Sequence, residues 1–298
     1  MKKIIALIII ITLLFSFGCL KKSGNGTTTS GAGFQFTGQN GIVAEFDEDA
    51  PPKINFVAEP IELKLKITNR GVKDLSPGEI QAKLTGVAAT EIFSPTTTET
   101  SNEDELLAAE LDPSTTIIDL GLITYLAGSA EEMVSAEYKP EIKAEICFPY
   151  QTKANINEFW IGQKQKNLDK GTIASKENSA APVQISNLAE FKGTNKVNFN
   201  FWVKNVGKGK VVSECFPEER SDETVEIEIV QPRGVDCDTL GGGSSGTIKL
   251  GEKGRVVRCS VTPEQKDDYK TPLVIKLDYN YDLKLEKDIT IRRTDLII

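Results

Sequence analysis

The chain has 298 residues, enough for two ordinary domains; 39% of them are hydrophobic, 26% are charged, and the formal net charge is -8 at pH 7. This balance is typical of a globular protein, and the acidic total argues against nucleic acid as a partner, because phosphate binding needs a basic surface. The sequence contains no histidine, which excludes histidine-based acid–base catalysis and the histidine-dependent nucleophile systems.

Residues 1–18 have the pattern of a signal peptide of the lipoprotein type. Two lysines precede an apolar run from Ile4 to Phe17, and Gly18 stands directly before Cys19. The segment resembles leaders in which the cysteine after the cleavage site receives a lipid. We therefore predict a helical leader, lipidation of Cys19, and attachment to the extracellular face of the cytoplasmic membrane. The alternative is an uncleaved anchor, although the apolar run is shorter than the roughly 20 residues that a spanning helix needs.

Residues 19–33 are predicted to form a flexible stalk. They are rich in glycine, serine and threonine and contain almost nothing that can be buried. Asn25-Gly26-Thr27 is an N-glycosylation sequon, and a stalk leaves it accessible. Asn25 is therefore a candidate glycosylation site.

One strand-like stretch occurs twice in the chain, 136 residues apart. Residues 61–71 and 197–207 both end in Asn-x-Gly, and up to that turn both alternate apolar and polar side chains, with Trp202 as the exception on the polar phase. Strict alternation places one set of side chains on each face of a β-strand, with one face buried. The asparagine side chain can bond nearby backbone and the glycine can take a positive φ, so each strand is predicted to end in a turn. The repeat predicts two copies of one β-sandwich.

The first predicted sandwich covers residues 34–160. Alternating apolar residues place its strands near residues 42–46, 61–67, 80–84, 117–126 and 142–148. Glu103–Leu111 is predicted as a short helix that stops before a proline. Cys147 is out of phase with the apolar residues of the last strand, so we expect it to face away from this core.

The second predicted sandwich covers residues 182–298. Residues 161–181 show no hydrophobic period and are predicted to be a linker or long loop. Within the second sandwich, residues 247–250 and 255–261 flank a glycine-containing turn and predict a hairpin.

Four cysteines remain besides the one at the end of the leader. An exported chain meets oxidising conditions, so disulfides are expected, and four cysteines allow three connectivities. We favour Cys237–Cys259, because both lie at strands of the same small hairpin region. A bridge between Cys147 and Cys215 would connect the two predicted domains, and two free thiols are the alternative.

The tandem units of strand plus Asn-x-Gly resemble the adhesion-related (CARDB-like), immunoglobulin-like sandwiches of prokaryotic surface proteins. The order of segments is similar to that of archaeal-type surface lipoproteins. The matching pieces are Gly18-Cys19, Ala50-Pro51-Pro52, Ile67-Thr68-Asn69-Arg70-Gly71, Val203-Lys204-Asn205-Val206-Gly207-Lys208-Gly209 and Tyr269-Lys270-Thr271-Pro272-Leu273. The resemblance implies an all-β fold of two tandem immunoglobulin-like β-sandwiches, surface display, and a role in adhesion or assembly. It implies no catalytic residues.

The function that these features favour is that of a non-catalytic, membrane-anchored surface lipoprotein. Its partner would be another surface protein or an envelope polymer. The alternative is a surface protein that binds a glycan or small molecule, which needs a concave site with aromatic rings. Trp160, Trp202 and Tyr281 are the candidates, and Trp202 is the best of them because it lies on the polar face of its strand. An enzyme would need a close pair of carboxylates, and the sequence indicates no catalytic residue, cofactor or metal site.

Overall fold

The computed structural model describes residues 34–86, 92–109, 111–125, 137–164, 177–217 and 222–293. The predicted leader, Cys19, the stalk with Asn25, and much of the predicted linker lie outside the described residues. Over the ranges that are described, no helix is long and apolar enough to cross a membrane.

The fold is all-β, as predicted, and the described residues contain no α-helix. The strands are β1 (Ile42–Phe46), β2 (Ile54–Phe56), β3 (Pro60–Asn69), β4 (Gln81–Thr85), β5 (Phe93–Pro95), β6 (Glu99–Ser101), β7 (Ser114–Tyr125), β8 (Glu137–Tyr138), β9 (Glu141–Ile161), β10 (Val183–Lys192), β11 (Val197–Asn205), β12 (Lys210–Val212), β13 (Thr224–Gln231), β14 (Val235–Asp236), β15 (Ser245–Lys249), β16 (Arg255–Val261), β17 (Tyr269–Asp288) and β18 (Thr290–Arg292). One short 3-10 helix, Asp238–Leu240, follows β14.

Two four-stranded antiparallel sheets have the same arrangement. The first sheet has the order β1-β3-β7-β5, and the second sheet has the order β10-β11-β16-β14. The repeated stretch lies in β3 of the first sheet and β11 of the second, and in both strands the apolar phase is buried. The prediction of a half-buried strand at both places is confirmed.

A seven-stranded central sheet connects the two halves of the chain. Its order is β15-β13-β17-β9-β4-β6, and β12 also pairs with β17. The two longest strands, β9 and β17, pair antiparallel from Tyr269 opposite Ile161 to Asp288 opposite Glu141. A small sheet, β2-β18-β8, brings the last strand back to the first half.

The shared central sheet differs from the expectation of two sandwiches with separate cores. The described residues form one compact unit, and nearly all of their buried apolar side chains belong to one cluster. The reason is the length of β9 and β17. β9 belongs to the first half of the chain and reaches the second sheet, and β17 belongs to the second half and reaches the first sheet. Phe159 near the end of β9 packs on Phe199 of β11, with ring centroids 5.0 Å apart, and the far part of β17 contacts β1.

Two local predictions are wrong. The predicted hairpin does not form, because β15 pairs with β13 in the central sheet while β16 pairs with β11 in the second sheet. The predicted helix at 103–111 is absent over the described residues, because the backbone of Leu106 pairs with that of Leu75, and both side chains are buried. In each case a partner strand that is distant in sequence overrides the local pattern.

Candidate functional site

The two Asn-x-Gly turns make the same hydrogen bonds. Asn69 Oδ1 accepts from the amide two residues later at 2.9 Å, and Asn69 Nδ2 donates to the carbonyl four residues later at 2.8 Å. The Asn205 side chain makes the same two bonds, at 3.0 Å and 2.9 Å. The side chain thus substitutes for backbone pairing at the end of each repeated strand.

A tyrosine hydroxyl lies against the glycine of each turn. A Cβ built on Gly71 would lie 1.6 Å from Tyr150 Oη, and a Cβ on Gly207 would lie 2.3 Å from Tyr281 Oη. Neither glycine has a positive φ, so the expected reason for these glycines is wrong. Close approach of the tyrosine excludes a side chain at both positions.

A cleft of about 470 Å³ lies beside the second of these turns. It is lined by residues 207–210, by residues 42–44 of β1 and by residues 281–285 of β17, so both halves of the chain contribute to it. Tyr281 Oη accepts a hydrogen bond from the Gly209 amide at 2.8 Å, and burial raises the pKa of Tyr281 to about 12. This hydroxyl therefore stays protonated at neutral pH and holds the turn that forms one side of the cleft.

Asp282 is the polar side chain in the cleft with an unsatisfied atom. Its Oδ1 is buried and has no hydrogen-bond partner in the part of the chain that the structure describes. Burial raises the pKa of Asp282 to about 6, the charge of Glu145 raises it further, and Lys284 and Lys210 act in the opposite direction. A carboxyl group in this state can accept a hydrogen bond from a hydroxyl or ammonium group of a ligand.

Asp282 and Glu145 also line an adjoining pocket of about 340 Å³. Two neighbouring carboxyl groups are the arrangement that an acid–base enzyme would use. Glu145, however, already forms an ion pair with Lys284, whose Nζ lies 2.5 Å from Glu145 Oε1. The pair therefore provides one carboxyl group without an ion-pair partner among the described residues rather than two.

The disulfide Cys237–Cys259 joins two neighbouring strands of the second sheet. β14 pairs with β16 so that Val235 faces Val261, and the same register places Cys237 directly opposite Cys259. This is the pair that the sequence favours, but the strands are sheet neighbours rather than the two arms of one hairpin.

A second disulfide, Cys147–Cys215, joins β9 to the loop after β12. It links the two ranges that the sequence analysis assigned to separate domains. Of the two alternatives for these cysteines, a bridge and two free thiols, the structure contains the bridge. Cys147 is fully buried but stands outside the main apolar cluster, to which its neighbours Ile146 and Phe148 belong.

The three aromatic candidates lie in different places. Tyr281 is buried and lines the cleft. Trp160 lies near the end of β9, where Lys270 Nζ is 5.1 Å from the centroid of its ring. Trp202 is 37% exposed on the outward side of β11. The single aromatic cleft that the sequence proposed for these rings is therefore not formed.

The outward side of the second sheet carries a different set of side chains around Trp202. We call this set the outer face; it consists of Phe191, Asn198, Asn200, Trp202, Arg258 and Ser260. All of these except Trp202 line a groove of about 330 Å³. The sequence pointed to Trp202 alone, because a phase-breaking tryptophan is conspicuous whereas asparagine on a wet strand face is ordinary.

No protein-family model matches the chain, and no curated protein matches it. Among the described residues, no group of three or more cysteine, aspartate or glutamate side chains is placed to hold a metal ion. Within the described ranges, the cleft around Asp282 and the groove on the outer face are two candidate binding sites.

Proposed function

We propose that the protein is a non-catalytic surface lipoprotein, anchored through Cys19, that presents its β-rich body outside the membrane to bind another surface component. The observation that carries this proposal is the pair of disulfides, Cys147–Cys215 and Cys237–Cys259. Structural disulfides persist in oxidising compartments and are rare in the cytosol. The leader and the Gly18-Cys19 site supply a route to such a compartment.

The finer architecture in this proposal is that of two immunoglobulin-like sandwiches fused side by side. The repeated order of the first and second sheets supports it, as do the matching Asn-x-Gly turns. The central sheet is common to both sandwiches, because β9 and β17 pair along nearly their whole length. A body fused in this way would hold its binding surfaces at a constant distance from each other.

A second candidate function is the binding of a glycan or small molecule at the surface. The specific observation in its favour is the cleft of about 470 Å³, which is lined by Asp282, a half-buried carboxyl group whose Oδ1 has no hydrogen-bond partner in the described part of the chain. Three lysines, Lys208, Lys210 and Lys284, line the same cleft. A ligand that carries both hydroxyl groups and a negative charge would match this combination.

Replacement of Cys19 by serine tests the anchoring. The wild-type chain is expected in the membrane fraction, and protease added to intact cells should degrade it. The Cys19→Ser variant should leave the membrane fraction, whereas Ser23→Ala, a matched change in the predicted stalk, should not alter the distribution. Retention of the Cys19→Ser variant would show an uncleaved anchor instead, and protection of the wild-type chain from protease would contradict surface display.

A further inference from the structure

The two copies of the repeated strand differ in their outward side chains. Three successive outward positions are charged in β3 and uncharged in β11. They are Glu62, Lys64 and Lys66 in the first copy and Asn198, Asn200 and Trp202 in the second. Because β3 and β11 hold equivalent places in equivalent sheets, the fold itself does not require uncharged residues in β11.

The charged copy has the character of an ordinary solvated surface. Lys64 Nζ lies 2.6 Å from Glu62 Oε1, and Lys66 Nζ lies 3.8 Å from Glu45 Oε1. Exposed ion pairs of this kind contribute little to stability and are common on wet sheet faces. The first sheet also exposes Ile117 and Leu122 of β7 beside these charges, so the difference between the two faces lies in the three outward positions of β3 and β11 and in the type of the exposed apolar side chains, which are aliphatic in the first sheet and aromatic in the second.

Two aromatic rings are exposed on the outer face. Phe191 is 49% exposed and Trp202 is 37% exposed. Phe191 lies opposite Asn198 in the sheet, and Trp202 is four residues further along the same strand. A strand rises about 3.4 Å per residue, so the backbone positions that carry the two rings are about 14 Å apart along the strand direction. That separation is suited to contacting two units of an extended chain rather than one small molecule.

The groove that Phe191 lines on this face is polar. Asn198 and Asn200 line it, with Arg258 on the neighbouring strand. A carboxamide offers two donors and one acceptor oxygen, and a guanidinium offers donors only. Sugar hydroxyl groups both donate and accept hydrogen bonds, so this set of side chains is complementary to them. Aspartate and lysine, at Asp238 and Lys196, also line the groove, so no single sign of charge dominates it.

We propose that the outer face of the second sheet binds a neutral polysaccharide. Phe191 and Trp202 stack on the C–H faces of two sugar rings, and Asn198, Asn200 and Arg258 bond to the hydroxyl groups between them. A protein partner fits less well, because it would bury Asp238 and Lys196, and charged side chains of these types are depleted at the centre of protein interfaces. This proposal rests on the proposed function in one respect, namely that the protein encounters the polysaccharide outside the membrane.

Affinity electrophoresis of the full chain, extracted in detergent, tests the proposal. Native gels would contain a soluble mannan, β-glucan or xylan, and the wild-type chain is expected to be retarded by at least one of them. Trp202→Ala and Phe191→Ala should each weaken binding at least tenfold, with Trp202→Phe retaining part of it. The matched control is Lys66→Ala, the equivalent outward position of the first copy, which should bind as the wild type does.

Equal retardation of Trp202→Ala and the wild type would overturn the assignment of this face. Failure of all three polysaccharides to retard the wild type would overturn the polysaccharide as occupant, as would Trp202-dependent binding of a protein instead. Urea unfolding of each variant separates loss of binding from loss of folding. None of these results depends on Cys19, so the proposal can fail while membrane anchoring holds, and the reverse.

Discussion

Replacement of Asn69 by alanine is expected to lower the free energy of unfolding by about 3 kcal/mol. The Asn69 side chain is fully buried and accepts a hydrogen bond from the Gly71 amide at 2.9 Å. Its Nδ2 donates to the carbonyls of Lys73 at 2.8 Å and Leu107 at 3.1 Å. Each such bond contributes about 1 kcal/mol net to stability. The backbone groups that lose their partner remain buried, so we do not expect the loss to be smaller than the sum of the three bonds.

Asn205→Ala is the matched change in the second turn. Asn205 is only half-buried, and its side chain makes two bonds to backbone, so we expect a loss of about 2 kcal/mol. Asn200→Ala, on the outward side of the same strand, is the control and should change the free energy of unfolding by less than about 0.5 kcal/mol.

Equilibrium unfolding in urea, followed by tryptophan fluorescence and by circular dichroism, measures these differences. Both probes should report one transition with an unchanged slope, because the described residues share one core. A loss for Asn69→Ala no greater than that for Asn200→Ala would refute the account of the turns. Two separate transitions would refute the shared central sheet.

Three further changes have defined outcomes. Replacing Cys147 and Cys215 together by alanine should lower the free energy of unfolding by about 4 kcal/mol, because the bridge closes a loop of 68 residues in the unfolded chain. An unchanged urea midpoint would contradict this. Because the pKa of Asp282 is raised to about 6, the folded chain keeps a proton between about pH 4 and pH 6 that the unfolded chain has released. Wild-type stability should therefore fall relative to Asp282→Asn as pH rises through that window, and urea midpoints that change in parallel would count against the burial of this carboxyl. Phe159→Ala should lower the free energy of unfolding by about 3–5 kcal/mol, because the ring is fully buried against the second sheet. Phe191→Ala on the outer face should lower it by less than about 0.5 kcal/mol. Similar losses for the two variants would contradict the packing described.

The repeated strands could be predicted from sequence because their signal is local. Alternation of apolar and polar residues over 61–67 and 197–203 is enough to define a strand with one buried face. The asparagine bonds of the two turns are equally local, since they span two to four residues. The reason for the two glycines was not accessible, because the tyrosines that exclude a side chain are 79 and 74 residues away in the chain, respectively.

The central sheet could not be predicted from the same pattern. Alternation shows which face of a strand is buried but carries no information about its neighbour. The strand expected near 142–148 continues to Ile161, past Pro149, which lies within β9 opposite Asn280. Proline normally ends a run of this kind, so the alternation near 142–148 does not predict that the strand continues.

The candidate sites divide in the same way. The outward position of Trp202 follows from the phase of its own strand, and the structure places it there. Asp282 alternates regularly with Tyr281 and Leu283, which predicts a wet side chain, yet residues distant in the chain cover it. Its burial arises because β9 and β12 pair with β17 on either side, with Cys147 and Lys210 opposite it in the two ladders.

The intact mass of the chain isolated from cell membranes, measured before and after thiol alkylation without reduction, tests the central claim most directly. Surface display by lipidation predicts a chain that begins at Cys19, carries added acyl mass and takes up no alkylating reagent, because the other four cysteines are paired. A chain that begins at Met1 and gains mass at free thiols would contradict both the anchor and the oxidising location.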